Sequence, residues 1–422
     1  MIQESKGNTM KEEEFARRLK AAGARVFLVG GWVRDHVRGV TPHDKDYMVS
    51  GITEQQFTAL LPEAVKVGRS FPVYLVTIDG QRSEVAFARK ERKTGSGYNG
   101  FSVDYNPEVT VEEDLYRRDT TMNSLAMELP QGEIIDLYGG IADIRQQRIR
   151  AISEHFCEDP VRALRAARQA AEFGFAISDD TYALMAACQE ELGAEPAERL
   201  LAELRRALQA PKPSVYFRSL ARAGLLAVVF PELAALIGKT QPVAFHPEGD
   251  AFAHTMLVVD TVAAETDSLL ARFAGLVHDL GKGQTPKEME PHHYGHEERG
   301  LAILKAWNAR MTLPREWLQG GLFVIAQHMR APRIGKAAKI VDLLLAVDKS
   351  CLSWPEFNAV IRADHHSLPW YLAQAPAIVR QLKRVSGRDC PAGMTGPQVG
   401  VWVRNQQVKV YRNLLIDSDC AD

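Results

Sequence analysis

The sequence predicts an α/β head with a small mixed or antiparallel sheet, followed by an almost wholly α-helical remainder. Three observations carry this reading. Short apolar runs with strand character crowd residues 26–89, with few helices between them. From about residue 151, helical periodicity dominates, and Pro and Gly fall only at the edges of the periodic stretches. Histidines then concentrate in helical sequence between roughly 245 and 350. Strands close together in sequence favour a sheet that is not purely parallel, because parallel pairs need long crossovers.

Residues 11–23 read as a helix closed by Gly23, and the apolar run VFLVG (26–30) as the first strand. A Gly-Gly turn and a short helix beginning near Trp32 follow. DYMVSG (46–51), PVYLVTID (72–79) and SEVAFAR (83–89) read as further strands. ERKTGSGYNGF (91–101) is glycine-rich and polar, which predicts a mobile loop. DPVRALRAARQAAEF, DDTYALMAACQEEL, AERLLAELRRALQA and VYFRSLARAGLL all carry helical spacing. The expected division is a head (1–150), a helical neck and body (151–240), a histidine-rich helical domain (241–352) and a helical tail (353–422).

With 422 residues, 46% hydrophobic and 25% charged, the chain has the profile of a soluble globular protein of two to four domains. No apolar run approaches the roughly 18–20 residues that a membrane span needs. The opening MIQESKGNTMKEEEF is polar and acidic, unlike a secretory signal or transit peptide. Cys157, Cys188, Cys351, Cys390 and Cys420 lack CxxC spacing, which argues against a zinc ribbon or a disulfide framework and for a reducing cytoplasm. A net charge of −2 means that any nucleic-acid contact must use local basic groups. Two such groups stand out: Arg82, Arg89, Lys90, Arg92 and Lys93, then Arg162, Arg165 and Arg168. Solvated surface charge accounts equally well for the first.

Asp44 and Asp46 flank Lys45 at the entry to a strand. In extended chain, side chains two apart share a face, so both carboxylates can converge on one site. Hard oxygen ligands of this kind suit Mg²⁺, which borrows the rest of its shell from water and substrate phosphates. Glu84, on a later strand, is a candidate third carboxylate. Upstream, VGGWVRD (29–35) joins a strand to a helix start through Gly30 and Gly31. Such a turn lets backbone N–H groups approach a phosphate, and Arg34 can add a charged fork.

Five motifs then follow in order: GGxVRD, DxD, RRDxxxN (Arg117, Arg118, Asp119, Asn123), EDxxR (Glu158 to Arg162) and ERxxxE (Glu198, Arg199, Glu203). The ordered set, within residues 26–208, resembles the bacterial class II family of CCA-adding tRNA nucleotidyltransferases and poly(A) polymerases. The resemblance implies an α/β nucleotidyltransferase head, with Asp44 and Asp46 holding two metal ions. It further implies in-line attack of an RNA 3′-hydroxyl on an α-phosphate with pyrophosphate leaving, which requires no side-chain nucleophile. By the same resemblance, Arg118, Asp119 and Asn123 hold ribose and triphosphate, although RRD also fits a helix-start ion pair.

EDPVR is the most informative motif. Asp159 only accepts hydrogen bonds and Arg162 only donates. Cytosine and adenine each offer an amino donor beside a ring-nitrogen acceptor, whereas guanine and uracil offer N–H beside a carbonyl. An Asp–Arg pair thus accepts C and A and rejects G and U, which makes protein side chains the template, as the resemblance implies. Asp159 before Pro160 is also a good helix N-cap, and both roles can hold. Arg162, Arg165 and Arg168, three apart, are expected to share a face and reach phosphates.

Further on, FHPEGDAFAHTML (245–257), LVHDLGKG (276–283), HHYGHE (292–297), IAQH (325–328) and LLLAVDKS (343–350) resemble the HD metal-dependent phosphohydrolases. The resemblance implies a metal held by His254, His278, Asp279 and Asp348. Imidazole plus carboxylate suits a divalent transition metal such as Ni²⁺ or Mn²⁺. His292, His293 and His296 read as metal ligands, phosphate donors or a surface loop. The implied activity is hydrolysis of phosphomonoesters or 2′,3′-cyclic phosphates.

Nearly the whole chain resembles the multifunctional, HD-containing form of the CCA-adding enzyme, with Thr120 and Ser124 standing where that family more often has an apolar residue and Ala. The expected partners are a tRNA 3′ end, CTP and ATP, with no membrane, and either a monomer or a homodimer. A poly(A) polymerase, an enzyme adding only CC or only A, and an HD phosphohydrolase with an RNA-binding head remain the alternatives.

Overall fold

The computed structural model describes residues 10–67, 71–95, 100–244 and 246–419. The chain forms two compact units, one of residues 1–196 with 222–228 and the other of 197–221 with 229–422.

The first unit is built on strands β1 (Arg25–Val29), β2 (Asp46–Ser50), β3 (Val65–Lys66), β4 (Val73–Ile78) and β5 (Gln81–Phe87). Two more strands, β8 (Leu125–Leu129) and β9 (Glu133–Asp136), complete a seven-stranded sheet in the order β3-β4-β5-β2-β1-β8-β9. Only β2 and β5 pair in parallel, so the sheet is mixed. Helix α1 (Glu12–Ala21) carries Glu12, Glu13 and Glu14 in its first turn and Arg18 and Lys20 in its last, matching the helix dipole. It ends two residues before Gly23, whose φ of +89° takes the chain out of the helix. Helix α2 (Gly31–Val37) follows β1 directly, and α3 (Glu54–Leu60) starts at a Thr53–Gln56 capping box.

Alternation along the strands sorts the two sheet faces. Tyr47 and Phe87 pack with Phe15 of α1 and Phe57 of α3. Phe27, Val29 and Met48 pack on the opposite face with Val111 and Leu115 of helix α4 (Val111–Tyr116). The glycine-rich stretch is not simply a loop. Strands β6 (Lys90–Lys93) and β7 (Phe101–Asp104) pair antiparallel, Lys90 opposite Asp104 and Lys93 opposite Phe101. Residues 96–99, at the tip of the predicted mobile segment, lie outside the described residues. After helix α5 (Gly140–Arg145), the chain enters helix α6 (Val161–Phe173), which ends at Gly174 in the left-handed region.

The second unit is helical throughout its described length. Helix Ala251–Glu265 is capped by Asp250, whose carboxylate accepts from Ala253 N at 2.8 Å, and Leu269–Val277 is capped by Ser268. Helices Ala251–Glu265, Arg315–Gln327 and Trp354–His365 pack on the buried 269–277 helix, His296–Met311 packs on Arg315–Gln327, and Gly396–Asp419 packs on Ala337–Lys349. Gly281, in the HDLGKG turn, is in such tight contact with the start of helix His296–Met311 that a Cβ would collide with the His296 carbonyl. That contact needs glycine at position 281 and sets the HD turn against His296.

Candidate functional sites

Strand β2 starts at Asp46, and β2 pairs with β5 so that Asp46 lies directly beside Glu84 on the same face. Lys45 and Tyr47, the alternate residues, both turn to Glu12 of α1, at 2.7 and 2.6 Å. The alternation therefore sends Asp46 and its two-apart neighbour Asp44 away from α1. Partial burial raises the Asp46 carboxyl above its ordinary range. Glu84 and Asp44 add to that rise, while Arg118 opposes it. Three acids within electrostatic reach, with one cation to balance them, form an oxygen-rich donor set that divalent cations would relieve. These residues supply the hard oxygen donors that a divalent cation takes.

Gly30, at the end of β1, has φ +65° and ψ −127°, a conformation that disfavours any side chain. A Cβ there would meet Arg118 Nη1 at 3.2 Å. Arg118 thus packs against the glycine turn and also acts on Asp46. It is the cation that joins the turn to the acids. Gly30→Ala should cost about 1–3 kcal/mol of strain and displace Arg118. The expected result is a lower melting temperature together with weaker ATP stabilisation, both measurable by thermal unfolding with and without nucleotide.

Arg34 does something other than predicted. Its fork is filled by Asp35, with Nε at 3.0 Å and Nη2 at 2.9 Å, and its Nη1 donates to Asn123 Oδ1 at 2.8 Å. The guanidinium also lies 4.5 Å over the Phe173 ring. The adjacent acid in the same short helix captures the fork that the sequence reading assigned to triphosphate, so Arg34 ties α2 to the RRDxxxN segment.

That segment is a buried polar network. Asp119 accepts from Thr120 N (2.8 Å), Asn123 Nδ2 (2.9 Å), Arg165 Nε (2.8 Å) and Gln169 Nε2 (3.2 Å). Burial alone would raise the Asp119 carboxyl, but Arg165 and these hydrogen bonds hold it far below the usual carboxylate range. Asp119 is therefore an anchor joining the RRD turn to α6. Thr120 and Ser124 are fully buried, their hydroxyls donating to Gln169 Oε1 (3.2 Å) and Leu115 O (2.7 Å). The two departures from the family pattern thus serve internal packing.

Asp114, which the sequence reading did not single out, pairs with both arginines of the motif: Arg117 Nη2 at 2.6 Å and Arg118 Nη2 at 2.8 Å. Burial pushes its carboxyl up, yet Arg117 and Arg118 outweigh burial and hold it at about 2, against an ordinary 3.8. A lowered folded-state pKa stabilises the fold above pH 3.8 and loses that contribution as pH falls to about 2. Asp114→Asn should therefore cost about 2 kcal/mol at neutral pH. Urea unfolding should show the gap to the parent protein closing between pH 4 and 2.

Asp159 caps α6 through Val161 N, 3.2 Å from its Oδ1. Arg162 is buried, its Nη1 donating to His155 O and its Nη2 to Arg117 O, both at 2.6 Å. The two residues expected to read the base thus sit together at the start of α6, with the arginine docked on backbone carbonyls. The three α6 arginines do not form one row. Arg165 reaches Asp119, whereas the buried Arg168 donates to Glu172 at 2.5 Å. Arg162 and Arg165 reach the RRD turn, and six residues at 100° each rotate the Arg168 side chain well off the line of Arg162.

Among the described residues of the whole chain, three groups of His, Asp or Glu side chains have ligand atoms within 4.8 Å of one another, and all three are in the second unit: His246, Glu248 and His254; His254, His278 and Asp279; and Asp279, His296 and His328. His254 Nε2 lies 3.1 Å from Asp364 Oδ1 and 3.8 Å from Asp279 Oδ2, and His278 Nε2 lies 3.1 Å from Asp279 Oδ2. His296 and His328 approach the other oxygen, Asp279 Oδ1, at 3.3 and 3.4 Å. His278 Nε2, both Asp279 oxygens and Asp364 Oδ2 are buried without a directional hydrogen bond, although Lys282 Nζ stands 2.5 Å from Asp279 Oδ2. Buried imidazoles and carboxylates left in this way fit a divalent cation. Glu248 accepts from His254 Nδ1 at 2.6 Å, which fixes the tautomer and leaves Nε2 for a metal.

Asp348 is not part of this cluster. It sits near the end of helix Ala337–Lys349, where its Oδ2 pairs with Lys383 at 2.6 Å. The late acid that joins the cluster is Asp364, on the following helix, which packs on helices Ala251–Glu265 and Leu269–Val277. Both acids come late in the chain, and spacing alone could not choose between them. A readable signal was the histidine run after Asp364, in RADHH. His365 Nε2 lies 3.0 Å from Asp364.

Three family models match in order: Poly A polymerase head domain over residues 26–150, Probable RNA and SrmB-binding site of polymerase A over 174–237, and HD domain over 246–348. The "Multifunctional CCA protein" of Shewanella denitrificans is 45% identical over 309 residues, covering 72% of this chain and 74% of that protein. That of Pasteurella multocida is 44% identical over 301 residues, covering 69% and 70%. The chain belongs to the multifunctional CCA protein family. A solved CCA-adding enzyme in its apo form II shares the fold at TM-score 0.67 and 20% identity, covering 96% of this chain and 94% of that one. The Bacillus stearothermophilus CCA-adding enzyme in complex with CTP aligns at TM-score 0.58 and 25% identity, covering 96% and 91%. No helix among the described residues is long and apolar enough to cross a membrane.

Proposed function

We propose that the chain adds C, C and A to the 3′ end of tRNA from CTP and ATP, releasing pyrophosphate, and that its second unit is a metal-dependent phosphohydrolase acting on phosphomonoesters or 2′,3′-cyclic phosphates. The observation that carries the first activity is the parallel β2–β5 pairing, which sets Asp46 beside Glu84 at the mouth of the Gly30 turn. Asp44, Asp46 and Glu84 would hold Mg²⁺, which supplies activation of the attacking hydroxyl and neutralisation of the leaving oxygens. Gly31 offers its backbone N–H to the triphosphate, the Gly30 N–H being donated to Leu125 O at 3.4 Å, and Arg118 offers charge beside the turn. Asp159 and Arg162 read the base edge. Asn123 and Asp119 position the RRD turn against α6.

In the second unit, His254, His278, Asp279 and Asp364 would hold a transition metal such as Ni²⁺ or Mn²⁺. Held there, such an ion would supply phosphate polarisation and an activated water. Burial alone would lower the His278 imidazole, but Asp279 and Asp364 outweigh it and hold it above its ordinary range. A division into head (1–150), neck and body (151–240), HD domain and tail describes these roles. The HD domain must then extend past 352 to include Asp364. A cytoplasmic location suits the tRNA substrate.

The test uses purified protein, Mg²⁺ and tRNA lacking its last three nucleotides, with each NTP offered separately and together, followed by sequencing of the ends. Stepwise C, C, A and then a stop is the expected outcome. A long A tail would instead establish a poly(A) polymerase, and addition of C only or A only would establish a partial enzyme.

A further inference from the structure

The His–Asp cluster of the second unit is adjoined along the chain by two stretches that its own chemistry leaves unexplained. On one side, the residues just before helix His296–Met311 include His292 and Tyr294, both exposed, with ring centroids 5.7 Å apart and planes at 22°. Tyr294 is 72% exposed. Its segment is nonetheless pinned. His293, between the two rings, is buried, with Nδ1 2.8 Å from Thr285 Oγ1 and Nε2 2.9 Å from Thr240 O. Glu290 accepts from Thr240 Oγ1 at 2.9 Å and pairs with Lys239. A stacked, exposed ring pair on an anchored segment offers an aromatic face to a nucleobase.

On the other side, His328 is followed by Arg330, Arg333, Lys336 and Lys339, all exposed. No acidic residue stands between Glu316 and Asp342. None of the four cations forms an ion pair among the described residues. Asp342, the next acid along, is taken by Arg404 at 2.7 Å. Four cations spread along ten residues exceed what one small phosphate ester could use, and they match successive phosphates of a strand.

The cluster itself brings these features together. His296 Nε2 and His328 Nε2 are 3.3 Å apart. The ring pair ends two residues before one of these histidines, and the cationic run begins two residues after the other. We propose that this junction binds the single-stranded 3′ end of an RNA, with Tyr294 and His292 stacking the terminal base and residues 330–339 holding the phosphates upstream. The inference rests on the phosphohydrolase reading of the second unit and deepens it. The preferred substrate is a phosphate at an RNA end, not a small phosphoester.

The experiment uses the full chain loaded with Mn²⁺ or Ni²⁺ and compares two substrates: a ten-nucleotide RNA ending in a 2′,3′-cyclic phosphate, and glycerol 2-phosphate, which carries no base and no strand. The variant R330Q/R333Q/K336Q/K339Q should lower kcat/KM on the RNA by about tenfold or more and flatten its log–log salt dependence by about 2–3. Tyr294→Ser should lower it by roughly tenfold, with Tyr294→Trp restoring it. Glycerol phosphate hydrolysis should stay within about twofold in each variant, because neither feature touches the ester. A parallel readout needs no turnover: metal-free chain irradiated with RNA ending in 5-iodouridine should crosslink in the peptide that contains Tyr294. Equal losses on both substrates, an unchanged RNA rate, or crosslinks confined to residues 26–208 would overturn the proposal. An unmodified chain that hydrolyses neither substrate would sink the phosphohydrolase reading instead, and the crosslink at Tyr294 would still decide the RNA site.

Discussion

Asp46→Ala should abolish nucleotide addition, lowering kcat by more than about 10³-fold, while hydrolysis at the histidine centre continues at the parental rate. The argument is electrostatic. Asp46 lies beside Glu84 in register and feels Asp44, and this crowding raises its carboxyl. Removing it takes away the central member of the donor set. The two remaining acids, one before the strand and one on β5, then have no shared ligand between them. Folding should survive, since Asp46 stands at the start of β2 and forms no part of the hydrophobic core. Asp46→Asn separates charge from shape. It keeps the size and should lose nearly as much activity, because an amide oxygen carries no formal charge. Primer extension on tRNA lacking its terminal nucleotides measures the loss. A variant that retains a tenth of parental addition would contradict the assignment.

Asp364→Asn and His278→Ala should produce the mirror-image phenotype, with phosphohydrolase activity reduced more than about 10³-fold and addition intact. Asp348→Asn is the informative control. That carboxylate pairs with Lys383 and stands outside the cluster, so its loss should leave hydrolysis within about twofold, the small effect expected of a part-exposed ion pair. Because Asp364 and His278 are buried, their substitution can also relieve an unpaired charge. Metal content, measured by mass spectrometry of the protein as purified, distinguishes a lost ligand from a lost fold. Circular dichroism of the same samples should be unchanged. If Asp348→Asn removed metal and Asp364→Asn did not, the choice between the two acids would be reversed.

The two sets of variants also test whether the activities are separate. All residues of the addition site belong to the first unit and all residues of the hydrolysis site to the second. Loss of both activities in Asp46→Ala or in His278→Ala would show that they are coupled.

Much of this was legible along the chain. Period-two alternation placed Asp44 and Asp46 on one face, and the side chains of Lys45 and Tyr47 do turn the other way, to Glu12. The glycine pair, the RRDxxxN and EDxxR segments and the HD dipeptide could be read because each compresses its chemistry into a few neighbouring residues. The strands β8 and β9 were missed: LAMELPQGEIID mixes apolar and acidic residues without a clean period, and it becomes sheet only because β8 pairs with β1.

What the sequence determined by itself was local: which segments alternate, where glycine and proline end an element, and which residue types stand close enough to share a task. Partnership over distance was decided by the tertiary structure. Arg34 fills its fork with Asp35 and Asn123, Arg118 takes the place beside the Gly30 turn, Arg168 turns to Glu172, and Asp364 rather than Asp348 meets His254. The physical reason is the same each time. A charged side chain that loses water needs the nearest opposite charge or donor, and which one is nearest is set by how helices and strands pack, not by spacing along the chain.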